Sequence, residues 1–135
     1  MMELAVLSPG DNEYRELDNR LVAFNRRHVE WDTQTFQITL KSNQDKLVGG
    51  ACAIIRMRTA EIRGLWVDEN IHSQGHGSRI ITLLEKEARK RGAQSALLDT
   101  YDFQAQAFYE RLGYEVFGTY VYPDGTSRIY LSKQL

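Results

Sequence analysis

The sequence predicts a mixed α/β fold, in which one largely antiparallel sheet has helices on both faces. Short runs of alternating polar and apolar residues have the two-residue period of strands, and longer runs have the period of amphipathic helices. Between them, residues 65–78 pass from an apolar strand through a glycine-spaced loop directly into a helix. A strand, a helix and a further strand in that order form a parallel crossover, so we expect one parallel strand pair.

The first half of the chain predicts a strand, a helix and then three further strands. The first strand covers residues 3–7, and the helix after it has apolar residues at helical spacing and fades near His28. The next three strands are predicted at residues 36–40, 47–56 and 61–67. Gly49 and Gly50 lie inside the second of these, where paired glycines indicate a bulge or a close backbone approach.

The second half predicts two helices and three strands. An amphipathic helix begins near Gly77 and stops at Gly92, with basic residues in its last turn, where they suit the negative end of the helix dipole. A strand follows at residues 95–98, and a short helix precedes Gly113. Two final strands, residues 115–122 and 126–132, flank the turn signal Pro123-Asp124-Gly125.

Length, charge and cysteine content indicate one domain that spans residues 1–135. The formal net charge of −1 argues against a nucleic-acid partner held by general electrostatics. The single cysteine, Cys52, fits a reducing compartment and has the apolar neighbours of a buried thiol. No apolar run approaches the roughly 20 residues that cross a bilayer, and the N-terminus lacks the pattern of a secretory leader. We therefore expect no membrane association and a cytoplasmic location.

The glycine-spaced loop predicts a phosphate site. The first N–H groups of a helix have no partner within it, and the helix dipole leaves partial positive charge there. Because Gly75 and Gly77 have no Cβ, a diphosphate can approach the main chain, and either residue can adopt a positive φ. A loop of this kind alone is a weak signal, since many turns begin a helix in the same way.

A second motif makes the pattern specific. The pattern Ala-x-x-Phe-Tyr-x-x-x-Gly-Phe/Tyr is matched at every position by Ala105, Phe108, Tyr109, Gly113 and Tyr114. Together with the loop, this helix resembles the GNAT superfamily of acetyl-CoA-dependent N-acetyltransferases. The order of elements is similar over nearly the whole chain, whereas the specific motifs cover about the second half.

The phosphate loop of that family reads Arg/Gln-x-x-Gly-x-Gly/Ala. Gly75 and Gly77 match it, but His72 stands where the family usually has arginine or glutamine. Asp102 also replaces an asparagine that is often found three residues before Ala105. Both departures concern cofactor contacts.

The resemblance implies that acetyl-CoA is the co-substrate and that the parallel strand pair splays to accept its pantetheine arm. It also implies that the main chain around Trp66 and Val67 stabilises the oxyanion of acyl transfer. The cofactor-binding residues implied are Trp66, Val67, His72, Gln74, Gly75, His76, Gly77, Ser78, Asp102, Ala105 and Phe108.

The predicted catalytic groups are a proton donor and a base. Tyr109 is the candidate acid for the leaving thiolate, because a phenol is protonated at neutral pH and can donate as charge develops on sulfur. Glu61 is the candidate base for the amine, by resemblance to a strand-end glutamate in several family members. A solvated glutamate is an equally good interpretation of Glu61, and the rival carboxylates are Glu30, Asp32 and Asp68.

The family places its acceptor between the first helix region and the later strands. The walls implied here are His28, Glu30, Trp31, Tyr101, Tyr120 and Tyr122. Aromatic and acidic groups suit a cationic amine through cation–π contact and charge pairing. A polyamine, an aminoglycoside-like drug, an amino-acid derivative and a protein amine all remain open as acceptors.

His72 and His76 have the four-residue spacing that can place two imidazoles on one helix face for zinc. No third ligand is clearly placed, so we expect no metal site.

The leading hypothesis is transfer of acetyl from acetyl-CoA to a primary amine of a small molecule or peptide, by direct attack in a ternary complex. A non-catalytic acyl-CoA sensor and a module for another phosphorylated ligand are the alternatives. A homodimer through the C-terminal strands is possible.

Overall fold

The computed structural model describes residues 1–135 and divides them into two compact units, Met1–Asp32 and Thr33–Leu135. None of its helices combines the length and the apolar composition that crossing a membrane requires. The helices are α1 (Asn12–Arg26), α2 (His76–Lys90) and α3 (Gln106–Arg111). The strands are β1 (Gln34–Lys41), β2 (Leu47–Arg56), β3 (Thr59–Val67), β4 (Ser95–Tyr101), β5 (Glu115–Val121) and β6 (Ser127–Gln134).

The first unit contains α1 and no strand. The strand predicted at residues 3–7 is therefore wrong. A short apolar run forms a strand only where a neighbouring strand completes its hydrogen bonds, and these residues have none. α1 ends close to its predicted end. Beyond it, the imidazole Nδ1 of His28 lies 3.0 Å from the Phe24 carbonyl oxygen, and Arg26 pairs with Asp32 at 2.7 Å.

The second unit is built on a six-stranded sheet in the order β1-β2-β3-β4-β6-β5. Every neighbouring pair is antiparallel except β3 with β4, which the α2 crossover joins. The predicted mixed sheet with one parallel pair is thus confirmed. All six strands predicted after residue 33 form close to their expected bounds, and β4 extends to Tyr101 rather than ending at residue 98.

Helix α2 packs against β1, β2 and β3, and its first turn approaches α3 where Gly77 meets Phe108. α2 contributes its buried stripe Ile80, Ile81, Leu84 and Ala88 to the core. Its one buried charge, Glu85, accepts a hydrogen bond of 2.7 Å from the Tyr114 hydroxyl and pairs with Lys133 Nζ at 3.1 Å. A buried carboxylate needs such partners, so this cluster ties α2 to the start of β5 and to β6.

The paired glycines of β2 mark a close backbone approach. A Cβ on Gly50 would lie 2.6 Å from the Ile38 carbonyl oxygen, and one on Gly49 would lie 3.1 Å from the Trp66 carbonyl oxygen. The β1–β2 register also shifts between Leu40 and Lys41, next to the pair of Leu40 with Gly49. Both interpretations of the glycine pair are therefore correct.

The parallel pair is short. β3 pairs with β4 only from Thr59 to Glu61, although β3 continues to Val67 and β4 to Tyr101. Beyond Glu61 the two strands separate, so backbone groups of β3 that would complete a parallel ladder face a cleft instead. This splay opens the cleft that Glu61 and Tyr101 line.

Candidate active site

The N-terminus of α2 has the predicted form of a phosphate site. Gly75 precedes the helix in the left-handed region, with φ +80°, and a Cβ placed there would meet nothing within 4 Å. The first helical hydrogen bond runs from the Arg79 N–H to the Gly75 carbonyl oxygen at 3.2 Å. The N–H groups of His76, Gly77 and Ser78 therefore have no acceptor within the helix and are available to an anion.

Gly77 has a different role from the one its sequence pattern suggests. Its Cβ position lies 3.3 Å from Phe108 Cζ and 3.8 Å from Leu65 Cδ2, so the missing side chain makes room for the α3 ring. Of the two loop glycines, only Gly75 adopts a positive φ. Gly77 thus permits close packing of α2 on α3, and Gly75 provides the turn with open space beside it.

A cavity of about 900 Å³ lies between the loop and α3, and we call it the loop cavity. Eight of its wall residues were predicted for the cofactor, and seven others were missed. The predicted walls are Val67, His72, Gly75, His76, Gly77 and Ser78, together with Ala105 and Phe108 of the α3 region. The missed walls include Ile71, Ser73, Ala107, Arg111 and Leu112.

A second cavity of about 740 Å³ follows the splay between β3 and β4, and we call it the cleft cavity. Its walls include Glu61, Tyr101 and Tyr109, which the sequence singled out. Leu65, Gln104 and Ala105 line both cavities. A long molecule with an anionic end at the α2 N-terminus can therefore place its other end in the cleft cavity, beside Tyr109.

Tyr109 is buried, with 7% of its surface exposed, and its ring packs edge-on against Phe108 and Tyr114. Burial is the main cause that raises its pKa, and the nearby negative charge of Asp99 adds to the effect. The phenol therefore remains protonated at neutral pH, as a proton donor must. Tyr114, also buried, instead donates its hydroxyl to Glu85.

Glu61 lies at the last position of the paired segment, where the splay begins. Its carboxylate is 3.7 Å from Arg56 Nη1 and 4.0 Å from Arg63 Nη1, and 29% of the side chain is exposed. The structure thus brings Glu61 and Tyr109 to one cavity. Of the rival carboxylates, Asp68 caps a short 3₁₀ turn by accepting from the Asn70 N–H. Asp32 pairs with Arg26, and it belongs with Glu30 to the Met1–Asp32 unit.

The cleft cavity also contains an ion pair that sequence analysis missed. Arg128 Nη2 lies 2.9 Å from Asp99 Oδ2, and both residues line the cavity. This contact is the main cause that raises the pKa of Arg128. Alternation along β4 places Asp99 on the face opposite Leu98, but only the β4–β6 register, which pairs Tyr101 with Arg128, brings the arginine to it.

Three residues predicted for cofactor binding lie outside the walls of the loop cavity. Half of the surface of Trp66 is exposed, and its side chain lines a separate groove with Cys52, so it is not a core residue. The Asp102 carboxylate accepts a hydrogen bond of 3.0 Å from the Ser127 N–H and joins the end of β4 to β6. Gln74, the third of these residues, is exposed.

The burial predicted for the Cys52 thiol is only partial, since the residue is half-buried rather than fully buried.

The residues predicted as acceptor walls separate into two groups. Tyr101 lines the cleft cavity, and its ring lies 6.1 Å from that of Tyr122, which lies 5.0 Å from that of Tyr120. A hydrogen-bonding interaction with Tyr122 raises the pKa of Tyr101. The other three, His28, Glu30 and Trp31, belong to the Met1–Asp32 unit. Their acceptor role stays a prediction.

The two histidines of the loop have separate partners. His72 Nε2 lies 2.7 Å from the Val67 carbonyl oxygen, at the end of β3, and His76 Nδ1 lies 3.2 Å from Arg79 Nη1. No group of three or more histidine, cysteine or carboxylate side chains is placed to hold a metal ion.

Comparison with known proteins gives a consistent result. The family model described as "Acetyltransferase (GNAT) family" matches residues 3–114. An acetyltransferase of Agrobacterium fabrum is 32% identical over 100 residues, which cover 73% of each chain. The blasticidin-S acetyltransferase of Streptomyces morookaense is 35% identical over 92 residues, 67% of this chain and 68% of that one. The crystal structure of an acetyltransferase from Bacillus cereus matches with a TM-score of 0.85 and 28% identity, covering 97% of this chain and 98% of that one.

Proposed function

Since this chain belongs to the acetyltransferase (GNAT) family, we propose that it transfers the acetyl group of acetyl-CoA to a primary amine of a small molecule or peptide. The observation that supports this most directly is the meeting of the loop cavity and the cleft cavity at Leu65, Gln104 and Ala105. An extended thioester and an amine can enter from two sides and meet there.

The residues of the loop cavity fit acetyl-CoA. The diphosphate would lie on the N–H groups of His76, Gly77 and Ser78, beside the open space at Gly75. The pantetheine arm would follow the splayed end of β3, past Val67 and along Ala105 and Phe108. When bound, acetyl-CoA supplies an activated acetyl group and a thiolate leaving group. We propose that main-chain groups around Trp66 and Val67 stabilise the oxyanion.

Tyr109 is the proposed acid. Its hydroxyl belongs to a ring that lines the cleft cavity, and burial holds it protonated. Glu61, in the same cavity, is the proposed base that takes a proton from the ammonium, directly or through water. Two arginines, Arg56 on β2 and Arg63 on β3, lie within ion-pair distance of its carboxylate. The amine then attacks the thioester directly, in a ternary complex, since this assignment needs no enzyme nucleophile.

Calorimetric titration with acetyl-CoA, with ATP and NAD as controls, tests the cofactor assignment. We expect acetyl-CoA to bind selectively, and a panel of primary amines then to release coenzyme A, measured with a thiol reagent. Binding without thiol release from any amine favours the alternative, a non-catalytic acyl-CoA sensor. Equal binding of ATP and NAD would instead mean a general site for phosphorylated ligands and would overturn the proposal.

Three further properties are proposed: one domain over residues 1–135, a cytoplasmic location, and self-association through the C-terminal strands. β5 lies at one edge of the sheet, where an unpaired strand can join another copy. Light scattering coupled to gel filtration determines whether it does.

A further inference from the structure

We propose that the acceptor carries a carboxylate close to its primary amine and that Arg128 binds this carboxylate. The inference rests on the proposed function and narrows its substrate class to amino-acid-like zwitterions. It replaces the simpler expectation of an aromatic and acidic pocket for a purely cationic amine.

The charges on the cleft cavity are the first argument. Two carboxylates, Glu61 and Asp99, and two guanidinium groups, Arg63 and Arg128, line it together. Each carboxylate already has an arginine within 4.0 Å. A polycationic acceptor would meet a wall whose negative charge is balanced, whereas a molecule with one positive and one negative group can contact both signs.

The fixed position of Arg128 is the second argument. Asp99 holds its Nη2 at 2.9 Å, and the guanidinium lies 5.3 Å from the Tyr130 ring centroid and 5.9 Å from that of Tyr101. About a third of the side chain, 34%, remains accessible. A guanidinium that is already oriented loses little freedom on binding, and its remaining N–H donors suit a planar carboxylate.

Arg63 is a weaker candidate for the same role. Its side chain is 58% exposed and lies 4.0 Å from Glu61 at the edge of the ion-pair distance. It would lose more freedom on binding an anion than Arg128 does. The geometry therefore selects Arg128.

The location of the pair relative to Tyr109 sets the spacing of the two substrate groups. Asp99, Arg128 and Tyr109 all line the cleft cavity, so the ion pair and the proposed acid face the same space. An amine beside Tyr109 and a carboxylate on Arg128 would therefore occupy one cavity, which favours acceptors whose two groups are separated by few bonds.

The test compares matched acceptors in the coenzyme A release assay. Each pair is an amino acid and its carboxamide: glycine, β-alanine and 4-aminobutyrate with their amides, at equal concentrations of neutral amine. We expect kcat/KM to be about tenfold higher for the carboxylate member of at least one pair, as for a hydrogen bond to a charged group. The preference should vanish in Arg128→Gln and survive in part in Arg128→Lys.

Arg89→Gln is the matched control, because it removes the same charge from an exposed position on α2. It should retain the preference, and the KM for acetyl-CoA should be unchanged in all three variants.

If Arg128→Gln does not fold, the comparison of acids with amides in the wild-type protein and in Arg128→Lys still tests the inference. Equal rates for acid and amide in every pair, or an intact preference in folded Arg128→Gln, would overturn the inference while leaving the acetyltransferase assignment in place. Absence of thiol release from every amine tested would instead refute the proposed function, and the inference with it.

Discussion

The ring of Phe108 in α3 fills the space in which the side chain of any other residue at position 77 would begin, with its Cζ 3.3 Å from the Cβ position of Gly77. This contact joins the two motifs of the chain, the glycine loop and the α3 helix. Because Phe108 also lines the loop cavity, the glycine determines where one of the cavity walls stands.

Gly77→Val should therefore weaken acetyl-CoA binding by displacing Phe108. Filling a packed position costs about 1–3 kcal/mol, so we expect the dissociation constant to rise about tenfold or more. Calorimetric titration measures it, with Thr82→Val, an exposed change on the same helix, as the control. A folded Gly77→Val variant with wild-type affinity would contradict the assignment of the loop cavity.

Tyr109→Phe should lower kcat about a hundredfold and leave the KM for acetyl-CoA nearly unchanged, because it removes the proposed acid and keeps the ring. Steady-state thiol release measures both constants. Tyr114→Phe is the control, since Tyr114 is buried beside Tyr109 but donates its hydroxyl to Glu85. An unchanged kcat in Tyr109→Phe would remove it as the acid.

Stability should fall at alkaline pH, in part through Tyr114. Burial, followed by the hydrogen bond to Glu85, raises the pKa of Tyr114 well above its ordinary value near 10. Above about pH 10 the unfolded chain loses this proton while the folded chain keeps it, so the unfolded state binds fewer protons and the free energy of unfolding decreases as pH rises. Urea unfolding between pH 8 and pH 11 should show a shallower decrease in Tyr114→Phe. Equal slopes for the two proteins would count against this account.

Gly50→Ala should destabilise the second unit, because its Cβ would lie 2.6 Å from the Ile38 carbonyl oxygen, a backbone atom of β1. We expect a loss of about 2 kcal/mol in the free energy of unfolding. Gly64→Ala is the matched control in the neighbouring strand, since a Cβ there meets nothing within 4 Å. It should change stability by less than about 1 kcal/mol in either direction. Similar losses for both variants would show that the close approach is not the cause.

The local pattern of polar and apolar residues predicted most of the secondary structure, since the elements after residue 33 are marked by alternating or short apolar runs, amphipathic stripes and turn signals. The strand expected at residues 3–7 is a short apolar run as well, but it has no neighbouring strand and so does not form. Periodicity specifies which face of an element is apolar, whereas a strand also needs hydrogen-bond partners that lie far away in sequence.

The candidate site likewise combines features that a local sequence pattern predicts with features that depend on residues far apart in the chain. The sequence by itself determined the glycine loop, the motif around Tyr109 and the family to which the chain belongs, because these depend on residue types at fixed short spacings. Only the tertiary structure decided that Gly77 makes room for Phe108, that Asp102 and Trp66 lie outside the loop cavity, and that Arg128 pairs with Asp99. Those relationships depend on strand register and helix packing, which join residues far apart in the chain and leave no local pattern in it.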